Sequence, residues 1–205
     1  MSRSLATHDR AVDLLVVGGS AGAVETLVRL QTPLPPSFAV PIAVVVHLPR
    51  GRASALAAAL APHCRLRVGE ALDKEPLRPG CVHLAPPDYH LLADEGGTLA
   101  LSVDPPVRSS IPSIDVLFES AALVHGPRVA GLVLSGANDD GADGLRAIAD
   151  AGGVALVHAP DECAARTMPE RALARCPRAV ACSLADLERM LQDLGAVAPA
   201  RSSHG

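Results

Sequence analysis

Short runs of branched apolar residues, each halted by a glycine- or aspartate-rich turn and followed by a helical stretch, recur along this chain. The first, residues 13–17 (Asp-Leu-Leu-Val-Val), runs straight into Gly18 and Gly19. Residues 41–47 (Pro-Ile-Ala-Val-Val-Val-His) and 129–135 repeat the pattern without polar alternation. Unbroken runs of this kind mark strands covered on both faces, and such strands belong to parallel sheets flanked by helices. Helical periodicity follows at about 22–30, 54–60, 114–124, 141–151, 169–175 and 183–194, with Pro112-Ser113 starting the third of these. Shorter strands are expected at 66–68, 81–84, 89–93, 98–103, 154–158 and 179–182, and the break at Glu95-Gly96-Gly97 predicts a β-hairpin. The expected fold is α/β: a doubly wound, mostly parallel sheet with helices on both faces and one hairpin, a Rossmann-like three-layer sandwich. With no internal repeat and no linker, residues 13–194 read as one domain, after a short extension at 1–12 and before a disordered tail at 195–205.

Composition narrows the function. Hydrophobic residues make up 49% of the 205 but aromatic ones only 1%, so Ala, Val and Leu must build the core. The net charge is −4, no Lys/Arg block stands out, and Tyr89 is the one tyrosine in a chain without tryptophan. Neither an electrostatic footprint nor a stacking surface for nucleic acid is present. Five cysteines (Cys64, Cys81, Cys163, Cys176 and Cys182) form no Cys-x-x-Cys pair, which suits a reducing compartment. No stretch approaches the 20 apolar residues of a membrane span, and the polar start does not resemble a secretory signal. The expectation is a cytoplasmic protein without membrane insertion. His63, Cys64, His83 and His90 lack partners at metal-ligand spacing and read as structural or solvent-facing, so neither metal nor cofactor is expected. Phe118 reads as core, and the role of Tyr89 stays open.

Ligands bind outside the carboxyl ends of strands in such sheets, and three strands end in residues suited to acyl chemistry. Ser20 follows the first strand, His47 closes the second, and Asp139-Asp140 follow the strand ending at Ser135. A serine hydroxyl needs a base to become a nucleophile, imidazole can take and return that proton, and a carboxylate can hold the imidazole's tautomer. Each residue has a plainer alternative. Ser20 suits a helix N-cap, His47 a strand-terminal bond to a loop carbonyl, and one of the two aspartates a cap for the helix near Gly141.

The glycine turn also invites a nucleotide reading. A dinucleotide site requires Gly-x-Gly-x-x-Gly, whose second glycine would fall on Ser20, and no Gly-Lys-Ser/Thr marks a phosphate loop. Instead the glycines would seat Ser20 in a tight turn at a helix N-terminus, where negative charge is favoured. The order Ser20, His47, Asp140 differs from the Ser, Asp, His order of α/β-hydrolases.

Six blocks in order resemble the catalytic domain of the chemotaxis protein-glutamate methylesterases (CheB type). They are Val-Val-Gly-Gly-Ser-Ala-Gly at 16–22, Val-Val-His-Leu-Pro at 45–49, His-Leu-Ala-Pro-Pro-Asp-Tyr-His-Leu-Leu at 83–92, Pro-Ser-Ile-Asp-Val-Leu-Phe-Glu-Ser-Ala-Ala at 112–122, Leu-Ser-Gly-Ala-Asn-Asp-Asp-Gly-Ala-Asp-Gly-Leu at 134–145 and Met-Pro-Glu-Arg-Ala at 168–172. The resemblance implies hydrolysis of glutamate γ-methyl esters on chemoreceptor helices with release of methanol; many relatives also deamidate receptor glutamines. It places the nucleophile on Ser20, the base on His47, the orienting carboxylate on Asp140 rather than Asp139, and oxyanion donors on the backbone amides of Ala21 and Ala137. A non-catalytic, receptor-binding module of the same fold is the alternative. Three departures stand out: Ala23 replaces a common glycine, Ala137-Asn138 replaces a common Met-Gly, and the family's usual N-terminal receiver domain has no counterpart here. The last leads to the expectation of a constitutively open site or control by a separate regulatory protein.

Overall fold

The computed structural model describes residues 11–47 and 54–196. Residues 1–10, 48–53 and 197–205, including most of the expected N-terminal extension and tail, lie outside the described residues. The elements run β1 (Leu14–Gly19), α1 (Ala23–Gln31), β2 (Ile42–Val46), α2 (Ser54–Leu60), β3 (Arg67–Glu70), β4 (Cys81–Leu84), β5 (His90–Asp94) and β6 (Thr98–Ser102). They continue α3 (Ile114–His125), β7 (Val129–Val133), α4 (Ala142–Asp150), β8 (Val154–His158), α5 (Thr167–Arg175), β9 (Val180–Cys182) and α6 (Leu184–Ala196). Seven of these strands form one all-parallel sheet in the order β3-β4-β2-β1-β7-β8-β9. The hairpin β5–β6 stands apart as an antiparallel pair, with Gly96 and Gly97 both at positive φ in its turn.

Alternation along the strands divides the core in two. Leu15 and Val17 of β1, with Ile42, Val44 and Val46 of β2, face the layer of α1, α2 and α6. Leu14, Val16, Ala43 and Val45 face the layer of α3, α4, α5 and the hairpin. Because both faces are covered, the period-2 pattern carries no polar residue, which is why the strands read as unbroken apolar runs. The two buried phenylalanines are shared out, Phe38 to the first layer and Phe118, as expected, to the second. Small side chains fill the rest, so helices lie close to the sheet.

From β1 the chain moves first towards β2 and later, through β7, the other way. A parallel crossover has a fixed hand, so reversing direction moves the helices to the opposite face. The carboxyl ends of β2, β1 and β7 flank the point of reversal, where an open α/β sheet leaves a crevice.

Among the boundaries that differ from the sequence expectation, two lie beside the site. Strand β1 continues through Gly18 and Gly19, which therefore belong to the strand and not to the turn. Their lack of a side chain is a packing requirement: a Cβ on Gly18 would stand 2.2 Å from Ile114 Cγ2, and one on Gly19 2.5 Å from Ala23 Cβ. Strand β7 stops at Val133, two residues before Ser135.

Candidate active site

The three strand ends named by the sequence meet. Gly19 of β1 is in register with Val46 of β2, and the His47 N–H donates to Gly19 O at 3.0 Å. On the other side the Ser20 N–H donates to Ser135 O at 2.8 Å. Ser20 and His47 are thus the next residues beyond a paired register, one leaving β1 and the other β2. Helix α1 begins three residues after Ser20, and its N-cap is Gly22 at φ 81, without a side-chain cap bond. The N-cap alternative for Ser20 therefore does not hold. A side chain at Gly22 would be strained by its positive φ and would also stand 2.7 Å from Ala164 Cβ.

Ser135, not singled out by the sequence, fastens this turn. It is buried, its Oγ donates towards Ala21 O (2.6 Å), and the same oxygen accepts the Ala165 N–H (2.9 Å). One hydroxyl therefore ties the serine turn to the loop before α5.

His47 Nε2 lies 2.8 Å from Asp140 Oδ2. Asp140 is fully buried and also accepts from Ser113 Oγ (2.9 Å), the Ile114 N–H (2.8 Å) and the Asp115 N–H (3.0 Å). Burial by itself would raise its pKa; the bonds from His47 and the α3 amides outweigh that and hold it below the ordinary aspartate value. An ionised carboxylate makes Nε2 the protonated nitrogen of a neutral imidazole and leaves the lone pair on Nδ1.

The expected cap of α4 turns out otherwise. Its N-cap is Gly141 at φ 92, and Asp140 caps α3 instead. The exchange is reciprocal, because Asp115 in the first turn of α3 accepts the Gly144 N–H of α4 at 2.8 Å. Asp139 points away from His47, to Arg108 Nη1 at 2.8 Å. Arg108 also pairs with Asp115 through Nε (3.1 Å) and with Asp143 through Nη2, so one guanidinium straps residues 103–113 onto this loop. Desolvation, the Asp140 charge and Glu119 push the Asp115 carboxyl up to about 6, against the opposing Gly144 N–H and Arg108.

His90 and His83 are both buried, so the solvent-facing option fails for them. His90 donates from Nε2 to Pro105 O (3.2 Å) and accepts the Ser113 N–H at Nδ1 (3.2 Å), bracing the start of α3 beneath Asp140. His83 Nδ1 meets Glu75. A second nucleophile-like grouping, Cys163 Sγ 3.3 Å from His158 Nδ1, is unsuited to nucleophilic work: burial, with Glu162 and Asp161, pushes the thiol up to about 11. Ala21 and Ala137 are exposed, and among the described residues neither N–H has an intramolecular acceptor. Sequence reasoning placed Ser113 at the start of α3 and left His90 between lining the site and bracing the hairpin, but gave Ser135, Asp115 and Arg108 no role; the signal available for the first two of these was polarity at positions that pattern as buried.

A doubly wound sheet thus brings a hydroxyl, an imidazole and a carboxylate to the turns that follow three neighbouring strands, the residue types that serine-type acyl hydrolases use. Comparison with known proteins is more specific. Residues 15–191 match the CheB methylesterase family. The chain is 46% identical over 162 residues to protein-glutamate methylesterase/protein-glutamine glutaminase 5 of Myxococcus xanthus, covering 78% of this chain and 47% of that protein. It is 37% identical to a putative protein-glutamate methylesterase/protein-glutamine glutaminase of Leptospira interrogans, covering 78% of this chain and 83% of that one. The crystal structure of the Thermotoga maritima CheB methylesterase catalytic domain superposes with a TM-score of 0.80 at 26% identity, covering 90% of this chain and 98% of that one. This chain belongs to the CheB methylesterase family. It spans about half the length of the Myxococcus relative and most of the Leptospira one.

Proposed function

We propose that this chain is a serine-type carboxylic ester hydrolase that removes methyl groups from glutamate γ-methyl esters of chemoreceptors. The observation that carries the reading is the His47 Nε2–Asp140 bond, which leaves Nδ1 as the basic nitrogen beside the strand end that bears Ser20. Ser20 Oγ attacks the ester carbonyl while its proton passes to Nδ1. Asp140 stays ionised and stabilises the imidazolium. The carbonyl oxygen takes the negative charge and receives hydrogen bonds from the Ala21 and Ala137 amides, which have no intramolecular acceptor among the described residues. Collapse returns the carbonyl, and Nδ1 hands the proton to the departing methoxide, releasing methanol. Water, deprotonated by the same nitrogen, then cleaves the acyl-enzyme and restores Ser20.

A γ-carboxamide differs only in its leaving group, ammonia in place of methanol. The relatives' names pair methylesterase with glutaminase, and deamidation of receptor glutamines belongs to the same proposal. The substrate would be the cytoplasmic helices of methyl-accepting receptors, which places the enzyme in the cytoplasm. No helix among the described residues is long and apolar enough to cross a membrane.

Methanol release from methylated receptor membranes tests it. The wild type should release methanol, and Ser20→Ala should fall to the uncatalysed background, a loss of at least a thousandfold. Equal rates for the two proteins would overturn the reading.

A further inference from the structure

Asn138 occupies a position that the proposed chemistry needs open. Its Nδ2 lies 3.3 Å from His47 Nδ1, the nitrogen that must accept the Ser20 proton. The amide's orientation is set by its other end, since Oδ1 accepts the Asp140 N–H at 3.3 Å, so the NH2 group faces the imidazole. Among the described residues no hydrogen bond joins the Ser20 hydroxyl to His47. His47 therefore has Nε2 committed to Asp140 and Nδ1 committed to Asn138.

We infer that Asn138 is a positioning residue that pins His47 in its base-ready tautomer and, between turnovers, covers the lone pair that Ser20 must reach. This rests on the esterase reading of Ser20, His47 and Asp140. An Nδ2–H can donate to Nδ1 only while that nitrogen is unprotonated. When Nδ1 takes the serine proton, two N–H groups would face each other, so Asn138 must withdraw in every cycle. Both of its bonds are longer than the 2.9–3.0 Å typical of N–H···O, and the residue is only half-buried, which makes withdrawal easy. The resting contact competes with the serine and with protonation alike.

The rate at which an arylsulfonyl fluoride inactivates the enzyme reports the nucleophilicity of Ser20 without a receptor. Removing the competitor in Asn138→Ala should speed inactivation about fivefold, on the scale of one net hydrogen bond, and should move the acid midpoint of the pH–rate profile upward. Charged groups around the imidazole are Asp140 in contact, Asp139 on the same loop, and Asp115 and Arg108 behind Asp140; all are unchanged in that variant. Asn138→Asp keeps the acceptor for the Asp140 N–H and exchanges the donor for an anion, so its midpoint should rise further. A merely structural role for Asn138 would slow inactivation and leave the midpoint in place, and either variant behaving so overturns the inference. The two readings fail separately. If Ser20→Ala is modified as fast as wild type, the esterase reading falls; if Ser20 and His47 are required but both Asn138 variants match wild type, only the Asn138 assignment falls.

Discussion

Two buried carboxylates, Asp140 and Asp115, are pushed in opposite directions although each accepts amide hydrogen bonds from the neighbouring helix start. The difference lies in the count of donors. Asp140 gathers His47, Ser113 and two amides, whereas Asp115 has one amide, one edge of Arg108 and the repulsion of Asp140 itself. Asp115 titrates near 6 in the folded state and near 3.9 when unfolded. Between those values the folded chain binds more protons, so this group lowers stability as pH rises from about 4 to about 6 and holds it at the lower level above. Asp115→Asn does not titrate and should gain on the wild type across that window. At about 1.4 kcal/mol per pKa unit the swing is on the order of 2–3 kcal/mol, or several degrees in Tm for a domain of this size. Melting both proteins at intervals from pH 4 to pH 7 measures it. A difference in Tm that stays flat would mean that Asp115 is ionised throughout, contrary to this account.

Helices α1 and α4 both start from a left-handed glycine rather than from a capping side chain, and in both cases the residues just before the glycine form the site. The arrangement frees Ser20 and Asp140 from capping their own helices. At Gly141 the requirement is double: φ is 92, and a Cβ would stand 2.7 Å from Ile114 Cγ2. Gly97 in the hairpin turn has φ 74 but nothing within 4 Å of the same position. Replacing each by alanine separates the two effects. Gly97→Ala should cost about 1 kcal/mol for backbone strain alone, while Gly141→Ala should cost about 2–4 kcal/mol as Ile114 is displaced. Chemical denaturation measures both, and equal losses would show that the Ile114 contact relaxes freely. These elements also show how far a sequence is legible. Order and type of the strands and helices were readable because apolar runs such as 41–47 respond to burial on both faces, whichever neighbour supplies it. The approach of Ser20, His47 and Asp140 to one edge of the sheet was readable because each follows the end of one of three neighbouring strands, a position that topology brings together. The reciprocal capping by Asp140 and Asp115 and the strap of Arg108 onto Asp139 and Asp143 were not, since these depend on residues about 25 to 35 apart whose approach only the packed α3–α4 pair defines.

At the scale of the whole molecule the sheet separates two cores, and the site draws unequally on them. Asp140 and its donors hang from α3 and α4, which pack on one face, and Phe118 lies at the centre of that packing. A Cβ on Gly144 of α4 would stand 2.5 Å from Phe118 Cβ, and one on Gly131 of β7 3.6 Å from its ring. Phe118 therefore sets the spacing of α3 from both α4 and the sheet. Phe38 is just as buried but lies in the other layer, shortly before the amino end of β2. In a parallel sheet that is the end opposite the site. Replacing either ring with leucine leaves a void, and both Phe118→Leu and Phe38→Leu should lose about 1–2 kcal/mol, less than the 3–5 kcal/mol of truncation to alanine. Their effects on turnover should diverge. A void beneath α3 lets the amides of Ile114 and Asp115 shift against Asp140, and shifts near 1 Å in a catalytic support can cost on the order of a hundredfold in rate. Phe38→Leu relaxes a region that holds none of Ser20, His47 and Asp140, so on the proposed reading its kcat should stay within about twofold of wild type. Urea titration paired with methanol release from the same preparations tests the division. Matching activity losses at matching stability would mean that the two cores support the site alike.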